Sequence, residues 1–232
     1  MVEPIRFAYT FQFPNGEEQR FDVLLDADTL GLLAPTDAPK PEWTRLHYHQ
    51  CENCPLGDEV EYCPVAVNLA SLVERFKDAV SFESTTVRVQ TAERTYEKDT
   101  ALQKGLSSII GIYMVTSDCL VMDALRPNVR FHLPFASIDE TIYRAVSMYL
   151  VAQYFLMRKG KEPDWELKHL VETYQAVTKV NQGMSDRIRH ATAEDANVNA
   201  VIILSTQGGM VPTYVEDSLA EMEPLFRGLI DR

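Results

Sequence analysis

The residues with the densest chemistry lie in Leu46-His47-Tyr48-His49-Gln50-Cys51-Glu52-Asn53-Cys54, closed by Cys63-Pro64. Two histidines and three of the chain's four cysteines fall within this short stretch. A Cys-x-x-Cys turn offers two thiolates to one tetrahedral ion, and a third cysteine with a nearby histidine completes the shell. The spacing predicts a metal knuckle holding zinc on His49, Cys51, Cys54 and Cys63, with His47 or Cys119 as substitutes for the fourth ligand. A closed four-coordinate shell leaves no position for substrate, so such an ion would serve folding. Two other readings stand beside it. One is an iron–sulfur cluster on all four cysteines, although Cys-x2-Cys-x8-Cys differs from the common ferredoxin spacings. The other is three reduced, buried cysteines without metal.

A second group runs from Asp118-Cys119 through Arg126, Arg130 and His132 to Asp139, Glu140, Tyr143 and Arg144. Thiol, imidazole, guanidinium and carboxylate in one proline-bounded stretch can line a ligand pocket, and Cys119 with His132 as its base would make a thiolate nucleophile. No third, orienting residue is evident. The plainer expectation is structural: Arg126 and Arg130 pair with acidic neighbours while His132 satisfies backbone in a buried loop. Glu166-Leu-Lys-His169 spells a carboxylate–histidine ligand pair, but no second copy exists to complete a di-iron set. Gly208-Gly209 lacks any phosphate-binding pattern around it and reads as a helix stop.

These groups must be positioned by the elements around them. Ile5, Phe7, Tyr9, Phe11 and Phe13 alternate with small or polar residues, Pro14-Asn15-Gly16 turns the chain, and Phe21, Val23 and Leu25 return on the same face. A helical turn is expected at Asp28 to Leu33, then a proline-marked loop through Pro35, Pro39 and Pro41. Pro64 at a first helical position opens a helix carrying Val65, Leu69, Leu72, Val73 and Phe76. Thr85 to Thr91 and Arg94 to Lys98 form a second hairpin, with Val87 and Val89 inward. Ala101 to Thr116 is helical and rich in small residues. Arg126-Pro127 starts an irregular connection. Ser137 and Glu140 form a capping box, and the helix it opens runs to about Lys159 with Gly160 as its stop. Its middle is apolar all round, which predicts the buried central helix of the second half. Asp164 caps a helix with Leu167, Leu170, Val171, Tyr174 and Val177 in one stripe, and Gly183 bends the chain. Thr192 to Asp195 caps another helix that Gly208-Gly209 ends, and a last one begins near Pro212.

The fold class that follows is α+β: residues 1–100 as an N-terminal antiparallel sheet with the metal knuckle and one helix, residues 101–232 as a C-terminal helical bundle. With 22 basic residues against 34 acidic, net −12, and no run of Lys/Arg, nucleic acid and anionic membrane are poor partners. The first residues lack the charged and apolar regions of a signal peptide. Ala145 to Met157, broken by Ser147 and Gln153, is too short to span a bilayer. A cytoplasmic, reducing setting is expected, leaving metal or burial to explain the cysteines.

The combination of Tyr48-His49-Gln50-Cys51-x-x-Cys54-Pro55-Leu56 with Cys63-Pro64, Leu125-Arg126-Pro127, Arg130-Phe131-His132-Leu133-Pro134-Phe135 and Tyr143-Arg144-Ala145 resembles a bacterial family of uncharacterised proteins that carry a domain-of-unknown-function label. The resemblance covers most of the chain. It implies a bacterial, cytoplasmic origin and brings no activity, substrate or ligand with it. From the residues themselves the expected function is a zinc-stabilised binding or regulatory module without catalysis of its own, acting through a protein partner or a small effector. The alternative is a redox or thiol enzyme or sensor, using either the iron–sulfur cluster or the Cys119/His132 pair. An apolar central helix also allows a homodimer.

Overall fold

The computed structural model describes residues 3–33 and 40–231; Pro35 and Pro39, read as loop markers, lie outside them. Strand β1 (Ile5–Gln12) pairs antiparallel with β2 (Glu18–Leu25), from Ile5↔Leu25 to Gln12↔Glu18. The turn between them places Gly16 at φ +87° and is closed by the amide of Gly16 donating to Phe13 O at 3.0 Å, the positive φ that Asn-Gly tolerates. β3 (Ser84–Gln90) and β4 (Thr95–Ala101) form the second hairpin, and β3 joins β1, so the four strands make one antiparallel sheet in the order β2-β1-β3-β4. Alternation sorts its faces. Phe7, Tyr9, Phe11, Val23, Leu25, Val87 and Val89 are buried on one, while Arg6–Asp22, Arg88–Glu97 and Thr86–Asp99 pair on the other.

Helix α1 (Pro64–Arg75) opens on proline as expected and buries Val65, Leu69, Leu72 and Val73. Helix α2 (Leu102–Val115) lies against the sheet at Gly105, where a Cβ would stand 2.6 Å from Val87 Cγ2 and 2.9 Å from Phe11 Cε1. Its Leu106, Ile109 and Ile110 are wholly buried. A short 3-10 turn (Met122–Leu125) and α3 (Pro127–Arg130) give regular structure to what the sequence presents as an irregular link. Helix α4 (Ile138–Arg158) follows, with the Ser137/Glu140 capping box complete and Gly160 at φ +72° beyond its end. Helices α5 (Lys168–Arg189) and α6 (Ala196–Met222) pack along one another, and α6 also packs on α2. The chain closes with a 3-10 turn (Glu223–Phe226) and α7 (Arg227–Ile230). The buried apolar cluster is continuous from Phe7 on β1 to Val215 on α6.

Several expectations about the helices are corrected. Asp28 to Leu33 is not helical: the Asp26 carboxylate accepts from the Asp28 and Thr29 amides, and Leu32 bridges to Leu25 instead. α4 is not the central buried helix. It buries Ile142, Ala145, Val146 and Gln153 but exposes Val151, Tyr154, Phe155 and Met157, because only one side of it meets the rest of the molecule. Gly183 does not bend the chain, since α5 runs through it. α6 likewise runs through Gly208, Gly209 and Pro212. Proline there removes one helical hydrogen bond and crowds the carbonyl of residue 208, a local cost outweighed by burial of Val201, Val211 and Val215. Among the described residues no helix is long and apolar enough to cross a membrane.

Candidate functional site

The cysteine-bearing loop leaves a 3-10 turn at Glu42–Thr44 and returns to α1 pinched at its base. The Leu46 amide donates to Glu61 O at 2.9 Å, the Cys63 amide to Thr44 O at 2.8 Å, and Arg45 bridges to Tyr62. Within the loop the Cys54 amide donates to Cys51 O at 3.0 Å, the turn that brings two thiols to one side. Cys63 stands at the N-cap of α1, its sulfur facing the amides of Val65 and Ala66. Far along the chain, Cys119 follows α2 and its sulfur faces the amides of Val121 and Met122. Arg126 holds that turn in place: its Nη2 donates to Ser117 O at 2.7 Å while its Nε lies 2.8 Å from the Asp123 carboxylate.

These three segments meet over the middle of α5. The Cys51 thiol lies within electrostatic reach of Cys54, Cys63 and Cys119 and of the Arg187 guanidinium. Cys119 in turn feels both Cys54 and Cys63. Close approach is possible because Gly183 faces Cys51, where a Cβ would stand 2.7 Å from its Sγ and 3.1 Å from its Cα. Arg187, 1 % exposed, reaches up from α5 into the base of the loop. It donates to the carbonyls of Trp43 (2.7 Å), Arg45 (2.5 Å) and Leu46 (3.0 Å), and its Nε has no partner. All four cysteines are reduced. Burial pushes the Cys51 thiol up to about 12 and raises Cys63 and Cys119 as well, so as free thiols they hold their protons at neutral pH.

The histidines are not part of this gathering. His49, at φ +48°, stacks on His190 with ring centroids 4.2 Å apart. His47 meets Gln50 Oε1 at 2.9 Å and Asp58 at 3.3 Å. Among the described residues no three His, Cys, Asp or Glu side chains stand close enough to share a single ion. The knuckle expected on His49, Cys51, Cys54 and Cys63 is thus not assembled as a one-ion shell, since the strained backbone at His49 turns its ring to α5.

The second predicted group divides three ways. Cys119 joins the other cysteines, supported by Arg126 on its acidic neighbour as the structural reading expected. Arg130 is exposed and borders an outer cleft with Arg6 and Arg94. His132, Glu140 and Arg144 line a cavity of about 520 Å³, and His132 and Arg144 border the outer cleft as well. The His132 Nε2 lies 2.7 Å from Tyr9 OH and 3.2 Å from Ser108 Oγ, with Tyr9 and Ser108 2.9 Å apart. Burial, then the nearby Arg144, lowers His132 to about 3, while burial raises the Tyr9 phenol. The imidazole is therefore neutral and shares its hydrogen bond with a protonated Tyr9 phenol. No hydrogen bond joins Cys119 to His132, and so weakly basic an imidazole cannot activate a thiol. Glu166 pairs with Lys168, and His169 with Asp164 at 3.2 Å, both at the surface.

Residue types alone did not point to Arg187, Gly183, Lys98, Lys104 or Tyr174. Arg187 did leave a trace: Val180, Met184 and Arg187 are spaced four and three apart, which sets a guanidinium on the apolar stripe of a helix.

A family model matches residues 7–227. The chain belongs to the family described as Domain of unknown function (DUF6901). The match takes in all four cysteines, all of the sheet but the first two residues of β1, and every helix from α1 to α6. Compared with curated proteins and with solved structures, the chain has no match.

Proposed function

We propose that Cys51, Cys54, Cys63 and Cys119 hold an iron–sulfur cluster and that the protein works through it, in one-electron transfer or in redox sensing. The observation that carries this reading is that Cys54, Cys63 and Cys119, from three separate segments, all lie within electrostatic reach of Cys51. A polynuclear cluster sets each thiolate on its own iron or on one of two, so its ligands stand farther apart than four ligands of one ion. Backbone amides facing the sulfurs of Cys63 and Cys119 supply the hydrogen bonds that raise cluster potentials, and the guanidinium of Arg187 offsets the charge of thiolate ligation. Cys51, Cys54 and Cys119 are only partly buried, which leaves a short path for electrons from the surface.

Zinc is the second reading, favoured by the Cys51–Cys54 turn and by Cys63 at a helix N-terminus. In it the ion fastens the loop to α1, and the protein is a binding or regulatory module. One experiment separates the two. Protein purified anaerobically without a His-tag is assayed for iron, acid-labile sulfide and zinc, alongside its Cys119→Ser variant. Iron with sulfide, a broad absorption near about 400 nm, and loss of both in Cys119→Ser support the cluster. Zinc retained in Cys119→Ser moves the assignment to the knuckle with a histidine fourth ligand. Metal-free wild-type protein with four freely alkylated thiols overturns both readings.

A further inference from the structure

The cavity of about 520 Å³ beside His132 lies between β4, α2, the N-terminal turns of α4 and α5, and α6. Its size is that of a small-metabolite site. Its charge is opposite to that of the protein: Lys98, Lys104 and Arg144 line it against the single carboxylate of Glu140, in a chain of net charge −12. That carboxylate is already engaged, accepting the Ser137 amide at 2.7 Å to complete the capping box. Among the described residues neither Lys98 nor Lys104 enters an ion pair. Arg144 donates Nη2 to Asn128 O at 3.0 Å, but its Nε is buried without a partner. Tyr174, 5 % exposed, also borders the cavity, and its hydroxyl makes no hydrogen bond among the described residues.

A buried guanidinium Nε without a partner leaves donor capacity unmet, and the Tyr174 hydroxyl has no partner within the described residues. A planar fork of N–H groups matches carboxylate or phosphate oxygens, and two ammonium groups complete the complement for a dianion. Ile112, Val115, Leu125 and Leu204 form an apolar part of the remaining wall, which suits an organic body behind the charged head.

We infer that this cavity binds a small organic anion, with its carboxylate or phosphate group between Arg144, Lys98, Lys104 and the Tyr174 hydroxyl and its apolar part against α2 and α6. The site is independent of the cysteine cluster and does not rest on what the cysteines hold. The role inferred for it is recognition of an effector.

The test is calorimetric titration of the full chain with phenyl phosphate, 3-phenylpropionate and the uncharged 3-phenylpropanamide. Saturable binding of at least one anion, with the amide at least about tenfold weaker, is expected, tenfold being about 1.4 kcal/mol. Preference between the two anions separates a phosphate ligand from a carboxylate one. Lys98→Gln combined with Lys104→Gln, both at the exposed rim, should weaken binding about tenfold without disturbing the fold, and Arg144→Gln more. Equal binding of anion and amide, unchanged affinity in the double lysine variant, or no saturable binding of either anion would overturn the inference.

Discussion

A methyl group on Gly183 would meet the sulfur and the Cα of Cys51 at once. Since one of those contacts is with backbone, the loop and not a side chain must move. Alanine in place of glycine inside a helix gains up to about 1 kcal/mol, but overpacking costs about 1–3 kcal/mol. Gly183→Ala is therefore expected to lower the unfolding midpoint, whereas Gly209→Ala, which meets nothing within 4 Å, should raise it. Urea titration of the two variants reads the difference directly. Arg187 is the other residue on which the loop depends. Arg187→Met would strand three carbonyls at the loop base, two of them buried, at a cost of about 3–5 kcal/mol, and Arg187→Lys, lacking the fork, should recover only a minor part.

His132 adds a pH dependence at the same scale. The folded protein keeps the imbidazole neutral down to about 3, against an ordinary value of 6.5. Between those values the unfolded chain binds the extra proton, so stability is retained above about 6.5 and falls as pH drops below it, by up to about 1.4 kcal/mol per pH unit. Asp26 and Asp195, held below the usual carboxylate range mainly by the amides of Thr29 and Ser81, add losses only lower down, as they begin to protonate. Denaturant midpoints between pH 7 and pH 5 should thus slope in the wild type and flatten in His132→Gln. A wild-type midpoint that stays level over that range would mean that the histidine takes up its proton as readily in the fold as in the unfolded chain.

Among the elements, α4 divides most sharply between what it buries and what it leaves open. Phe155 is 56 % exposed, whereas Ile142 is packed away. Phe155→Ala should cost less than about 1 kcal/mol, and Ile142→Ala about 2–5 kcal/mol, measured by thermal or urea unfolding. α5 carries most of the connection between the two candidate sites. On one helix, Gly183 and Arg187 support the cysteine loop and Tyr174 closes the anion cavity. β1 is central to the sheet and puts Tyr9 under His132, so its aromatic face serves the core and the cavity wall together.

For the whole molecule, a cluster held from residues 51–63 and 119 would cross-link the loop, α1 and the end of α2. Binding restricted to the folded state adds stability by mass action. Stripping the metal anaerobically with a chelator should lower the melting temperature, and amide exchange should rise in residues 45–63 and 117–123 together. Exchange that rises in one segment alone would separate Cys119 from the other three.

What the sequence by itself determined is what neighbouring residues decide among themselves. Strand alternation set the two hairpins, Asn-Gly set their first turn, Pro64 set the start of α1, and Ser137 with Glu140 set the start of α4, because each acts within a few positions along the chain. The four cysteines and the polar stretch after Cys119 also announced themselves by type. Tertiary structure decided the rest. Whether α4 is buried depends on what packs beside it, not on its own apolar middle. Gly183 reads as a bend until Cys51 is seen against it, and α6 continues past two glycines and a proline because burial on α5 and α2 outweighs their local cost. Cys119 comes within electrostatic reach of Cys51, Cys54 and Cys63, and His132 bonds to Tyr9 and Ser108, across segments far apart in the chain. Spacing along the chain carries no record of such contacts, because they are made by packing of whole elements.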